Sequence, residues 1–129
     1  MEIQELYVDT HVPVWLYAQG LQGFSRQAVQ CLESAHNLLI SPMAVLEIEY
    51  LYDIGKITQS AAVIVHFLSQ RIGLSVCTKP FPLVITQALE IKWTRDPFDR
   101  LITAQASLDL SCLLTKDQII YNNYKHTLW

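Results

Sequence analysis

An α/β layered fold with a mainly parallel sheet follows from three features of this chain. Its 129 residues are enough to bury one core and too few for two. About half of them, 51%, are apolar and only 16% are charged, the balance of a packed globular protein. Short apolar runs with β-branched content alternate with longer stretches of helical period, the pattern of strands joined by crossover helices. No repeat, low-complexity tract or Gly/Ser-rich linker interrupts that alternation, so residues 1–129 are expected to form a single domain.

The elements follow in order. Residues 6–9 read as a short buried strand ending in Asp-Thr-His, then a helix over residues 12–18 and a turn from Gly20 to Gly23. Ser25 is placed to cap a second helix with Ala28, Val29 and Leu32 on one side. A second strand is expected at residues 37–41. Pro42 then suits the first turn of a helix that runs through Ile54 and stops at Gly55. Thr58 is the expected cap of the next helix, which carries Ala62, Val65 and Phe67 and ends near Gly73. Residues 74–77 read as a third strand, and Lys79-Pro80-Phe81-Pro82 breaks the pattern before a helix through about Ile91. Asp96-Pro97 opens a helix rich in Leu101, Ile102, Ala104 and Ala106. Residues 111–115 read as a fourth strand, and a last short helix begins at Asp117.

In such sheets the usual site is the crevice beyond the carboxyl ends of the strands, and acids gather there. Asp9 ends the first strand and Asp117 lies just past the fourth. Glu47 is less than two turns into the helix that leaves the second strand, and Asp99 is in the first turn after Pro97. If strands one, two and four are neighbours, all four carboxylates converge. Taken singly, Asp9 and Asp117 read equally well as helix caps, and for Asp96 the capping role is favoured. Glu47 is different. Its helical neighbours Met43, Ala44, Tyr50 and Leu51 are apolar or aromatic, and an unpaired carboxylate there is costly unless a cation meets it. Glu49, rotated about 200° away at 100° per residue, has Asp53 as its neighbour and reads as part of a solvated face.

Carboxylate oxygens suit Mg²⁺ or Mn²⁺, and ions so held can activate water and orient a phosphodiester. His11, His36, His66 and His126 show no zinc spacing, although His11 is close enough to Asp9 to line the site. No nucleophile elbow or phosphate-cradling glycine loop is present. Cys31, Cys77 and Cys112 form no CxxC pair and read as buried thiols of a reducing cytoplasm. The first ten residues do not have the pattern of a signal peptide, and the longest apolar run, residues 61–65, is far short of the about twenty residues a membrane span needs. The net charge of −3 by itself disfavours nucleic acid, yet four of the twelve acids belong to the proposed cluster, and Lys92, Arg95 and Arg100 surround Asp96 and Asp99. Arg95 and Arg100 are therefore candidate RNA contacts, with a local ion pair as the alternative for Arg100.

Four stretches together resemble the PIN-domain family, and within it the VapC-like toxins of toxin–antitoxin pairs. They are Val8-Asp9-Thr10-His11; Ser41-Pro42 with Leu46-Glu47; Arg95-Asp96-Pro97-Phe98-Asp99-Arg100 with Leu101-Ile102 and Ala104-Gln105-Ala106; and Leu114-Thr115-Lys116-Asp117. They stand in the family's order across essentially the whole chain, and the Asp-Pro-Phe-Asp-Arg run followed by Leu-Thr-Lys-Asp is the specific part. The resemblance implies a three-layer α/β/α fold and RNA cleavage with Mg²⁺ or Mn²⁺ held by Asp9, Glu47, Asp99 and Asp117. It also implies a homodimer and an antitoxin that blocks the site. Asp96, Thr115 and Thr10 stand as supporting residues. Many relatives carry histidine just before the third motif, where this chain has Trp93 and Thr94.

The expectation is thus a cytoplasmic, metal-dependent endoribonuclease. The competing reading is a PIN-like protein that binds RNA or a partner without cutting, and four intact acids speak against it. A phosphoacceptor receiver domain, which Asp53 and Lys79-Pro80 superficially resemble, is rejected because its Lys-Pro lies near the chain's end, whereas here almost fifty residues follow. Tyr50, Tyr52, Tyr121, Tyr124 and Trp129 exceed what one helix face can bury, so part of that surface is expected to meet a second subunit or an antitoxin.

Overall fold

The computed structural model describes residues 2–129. In chain order the elements are β1 (Ile3–Val8), α1 (His11–Gln19), α2 (Arg26–Ser34), β2 (Ala35–Ile40), α3 (Pro42–Asp53), α4 (Ala61–Ile72), β3 (Ser75–Val76), α5 (Phe81–Leu89), α6 (Pro97–Ser107), β4 (Cys112–Leu114), α7 (Gln118–Asn123) and β5 (Thr127–Leu128). The strands form one sheet in the order β3-β2-β1-β4-β5, with every pairing parallel. β1 is its centre, and the condition on strand neighbours is met: β2 and β4 flank it.

Leu6, Tyr7 and Val8 are consecutive in β1 and all essentially inaccessible. Side chains alternate between faces along a strand, so a strand buried at successive positions must be covered on both sides. That is the three-layer α/β/α arrangement. Ile40 from β2, Leu113 and Leu114 from β4, Ile48 from α3, Ile64 from α4, Ile102 from α6 and Ile120 from α7 complete the main core. A smaller cluster of Val84, Ala88, Ile91 and Ala104 joins α5 to α6.

Pro42, Pro97 and Gly73 punctuate the helices as expected, with Gly73 in the left-handed region at φ 72°. Three expectations need correction. A fifth strand, β5, pairs with Leu113 and Leu114; at two residues it is too short to show in the sequence pattern. The cap of α4 is Ser60, whose Oγ accepts from the Val63 amide, and not Thr58. Glu49 is not merely solvated, for its Oε1 accepts a 3.0 Å bond from the Ala61 amide and ties α3 to the start of α4. Of the five aromatics expected at a surface, Tyr50, Tyr52 and Tyr121 are exposed. Tyr124 is buried with its hydroxyl on the Ser111 carbonyl, and Trp129 packs against the main core. Among the described residues no helix is long and apolar enough to cross a membrane.

Candidate active site

The sheet order reverses between β1 and β4, because the chain builds outward through β2 and β3 and returns to place β4 on the other side of β1. The crevice at such a switch point opens at the carboxyl ends of the strands. Asp9 follows β1, and the Thr115-Lys116-Asp117 turn follows β4. The Asp9 amide continues the ladder by donating to the Leu114 carbonyl at 3.0 Å. α3 and α6 bring Glu47 and Asp99 to the same place. Asp9, Glu47, Asp99 and Asp117 all line one open cleft of about 330 Å³.

Hydroxyls and amides fix the carboxylates. Asp9 is only 4% exposed. Its Oδ1 accepts from the Thr10 amide at 2.8 Å and its Oδ2 from Thr115 Oγ1 at 2.7 Å. Thr115 Oγ1 also accepts from the Asp117 amide at 3.0 Å, so one buried hydroxyl couples the ends of two strands. Thr10 Oγ1 donates to Glu47 Oε1 and joins the first strand's end to α3. Asp117 caps α7: its Oδ1 accepts from the Ile119 and Ile120 amides at 2.8 and 3.0 Å. The capping reading of Asp117 is therefore right, and Asp117 lines the cleft as well. Asp96 caps α6 in the same manner, accepting from the Phe98 and Asp99 amides.

The electrostatics follow from this crowding. Asp99 is pushed up to about 7, first by burial and then by Asp9, Asp96, Asp117 and Glu47. Burial also raises Glu47; the Thr10 hydroxyl opposes that shift, and Asp9 and Asp96 add to it. His11 Nε2 accepts from the Lys116 amide at 3.0 Å, which leaves its proton on Nδ1, 3.7 Å from Asp9 Oδ2. Burial lowers the His11 pKa; Asp9 and Asp117 pull it back, and Lys116 pushes with burial. The net shift favours the neutral ring.

The four carboxylates that line the cleft are hard oxygen donors, the kind that suits a divalent cation such as Mg²⁺ or Mn²⁺. Among the described residues, no group of three His, Cys, Asp or Glu side chains is already drawn tightly around an ion position.

The two arginines lie apart from the cleft lining. Arg100 Nε donates to the Ala88 carbonyl at 3.2 Å, a tie to α5 and not the local ion pair considered for it, while Arg95 is exposed. The cleft's other wall was not singled out in the sequence: Val14 and Trp15 of α1, with Leu51 and Ile57. The signal for part of it was present, since His11, Val14 and Trp15 recur at helical spacing directly after Asp9.

A family model for the PIN domain matches residues 6–125. No curated protein matches the chain in sequence. Among solved structures, a chain of VapBC2 from Rickettsia felis, bound to a DNA fragment from their promoter, superposes with a TM-score of 0.67 at 12% identity, covering 97% of this chain and 96% of that one. A domain of a functionally unknown protein from Methanocaldococcus jannaschii DSM 2661 gives 0.63 at 22% identity, covering 98% and 90%. Both are similar in fold.

Proposed function

This chain belongs to the PIN domain family, and from that premise we propose that it is a Mg²⁺- or Mn²⁺-dependent endoribonuclease, the toxin of a type II toxin–antitoxin pair. PIN domains are generally nucleases and typically use divalent metal ions. One observation carries the reading for this chain: carboxylates from four separate segments line a single cleft at the switch point of the sheet.

Asp9, Glu47, Asp99 and Asp117 would hold the metal. Bound there, a divalent ion supplies an activated water and charge stabilisation at the leaving oxygen. The chain's own residues do the holding. Thr115 and Thr10 fix Asp9 and Glu47, and the α7 amides occupy one oxygen of Asp117, leaving the other for the cleft. His11, pinned by the Lys116 amide, places an N–H toward Asp9.

Residues 1–129 form a single nuclease domain on this reading, and the protein works in the cytoplasm. RNA is the substrate. An antitoxin is the second partner, as the likeness to a chain of the VapBC2 assembly supports. A homodimer would cover exposed apolar residues such as Leu46 and Tyr50 of α3, Ile54 just after it, and Phe81, Leu83 and Leu89 of α5. The deciding experiment is purified protein with RNA in Mn²⁺, with and without chelator, beside Asp99→Asn. Cleavage lost in both controls supports the proposal. RNA bound but never cut would leave a binding protein, and neither binding nor cleavage would end the ribonuclease reading.

A further inference from the structure

The cleft has a second wall of which the carboxylate chemistry uses only His11. His11, Val14 and Trp15 share one face of α1 and line the cleft opposite α3, which contributes Glu47 and Leu51 from its own i, i+4 positions. Trp15 is partly exposed and held by other rings: His11 at 4.7 Å between centroids, Trp129 at 6.0 Å and Phe24 at 6.3 Å. Trp129 itself lies 5.1 Å from Phe24. The ammonium of Lys116 sits over the Trp15 ring, 5.7 Å from its centroid, on an exposed side chain between Thr115 and Asp117.

An acid-lined cleft can grip a phosphate through cations, but it gives a base nothing to bind. A fixed indole and a lysine on its rim supply what is missing, a stacking surface and a charge for the neighbouring phosphate. We infer that Trp15, with Lys116, forms a nucleobase subsite: one unpaired base beside the scissile phosphate lies on the indole, and Lys116 turns from the ring to the adjacent phosphate. The inference rests on the ribonuclease reading and deepens it. Because a base must leave its own stack to reach Trp15, the substrate is single-stranded RNA or a loop. Because every base has a π-face, the subsite tolerates all four.

The test is a set of short fluorescein-labelled single-stranded RNAs with one abasic residue walked along the strand. Binding is read by polarisation and cleavage by kcat/KM in Mn²⁺. One abasic position should cost the wild type about tenfold or more, the scale of a lost base–aromatic stack. Trp15→Ala should lose a similar factor on intact RNA and nothing further at that abasic position, while Trp15→Phe keeps most of the wild-type value. Two results overturn the subsite: no abasic position costs the wild type more than about twofold, or the penalty survives unchanged in Trp15→Ala. A Trp15→Ala protein that melts early and slows on every RNA alike gives the second of these. Base-dependent binding without cleavage would uphold the subsite while the ribonuclease reading failed. Protein that neither binds nor cuts would overturn both.

Discussion

α3 and α6 meet in two places, and the two are opposite in character. Where α3 begins, Ser41 Oγ donates to Gln105 Oε1 at 2.6 Å and accepts from the Met43 amide, with both residues almost wholly buried. Six residues further along α3 and six residues back along α6, Glu47 and Asp99 line the same cleft, where burial and then Asp9, Asp96, Asp117 and, least, Glu47 lift Asp99 to about 7. One crossing is a fully matched polar pair; the other opens on a cleft of like charges. A repulsive contact persists only where the surrounding structure over-determines it, and here the matched crossing, with the Thr10 and Thr115 hydroxyls, does that. The protein keeps its helices in register at one end so that unmatched acids can be held at the other.

The strongest way to break this contrast is to neutralise the repulsive end. Asp99→Asn and Asp9→Asn keep the shape and remove one charge. Either should abolish metal-dependent RNA cleavage, by at least about a thousandfold, since a metal contributes several kcal/mol of charge stabilisation and each decade is about 1.4 kcal/mol. The same variants should melt higher than wild type without metal and gain less on adding Mn²⁺, because wild type alone has the full repulsion for the ion to relieve. Exposed Glu33→Gln should change neither property. A wild-type melting temperature indifferent to both metals, with Asn variants no more stable, would mean the acids do not share a site.

The matched end should respond in the other direction. Gln105→Ala leaves the buried Ser41 hydroxyl without its acceptor, which costs about 2 kcal/mol in a denaturant melt. Loosened register between α3 and α6 should also lower kcat, by up to about a hundredfold, while substrate affinity changes little. In a double-mutant cycle with Ser41→Ala, the two losses should be strongly non-additive. Additive losses would show that the pair does not act as one lock.

The two crossings also differ in how far the sequence disclosed them. The acids were legible because each stands at a junction that local pattern marks: the end of an apolar strand, the turn after another, a Pro-started helix, or an apolar helical face. Their convergence needed only β2 and β4 beside β1, which short parallel strands favour. Ser41 and Gln105 are 64 positions apart and carry no local signal of their bond. Cap choice failed for a similar reason. Thr58 and Ser60 are equivalent by type, but Glu49 of α3 reaches the Ala61 amide, and that contact helps to set where α4 begins. β5 escaped because two residues cannot show a period, and it exists only through its ladder to β4.

The repulsive end has its own pH signature. Asp99 has an ordinary value of 3.8 and a folded value of about 7. Between those values the native state holds more protons than the unfolded chain, so stability falls as pH rises. Metal-free protein should therefore lose melting temperature steadily from about pH 4 to about pH 7. Asp99→Asn should flatten that slope, and so should saturating Mg²⁺, because a bound cation stabilises the ionised form. A slope unchanged in Asp99→Asn would assign the titration to another group.

The smallest expected effect concerns Asp96, which borders the repulsive end and yet serves a matched contact. Its Oδ1 accepts from the Phe98 and Asp99 amides, so it caps the helix that presents Asp99. Its charge is also among those that raise Asp99 and Glu47. Two substitutions separate these roles. Asp96→Ala removes the cap and the charge together and should cost about 1 kcal/mol, the usual price of a lost N-cap. Asp96→Asn keeps a capping oxygen and removes only the charge. Without metal it should be as stable as wild type near pH 7, with the Asp99 titration displaced toward ordinary values in a pH-dependent melt. Its cleavage should fall by less than tenfold, because the four cleft carboxylates remain in place. If Asp96→Asn instead loses cleavage as completely as Asp99→Asn while its fold and cap are intact, Asp96 belongs with the metal-holding acids and the boundary between the two kinds of contact has to be moved.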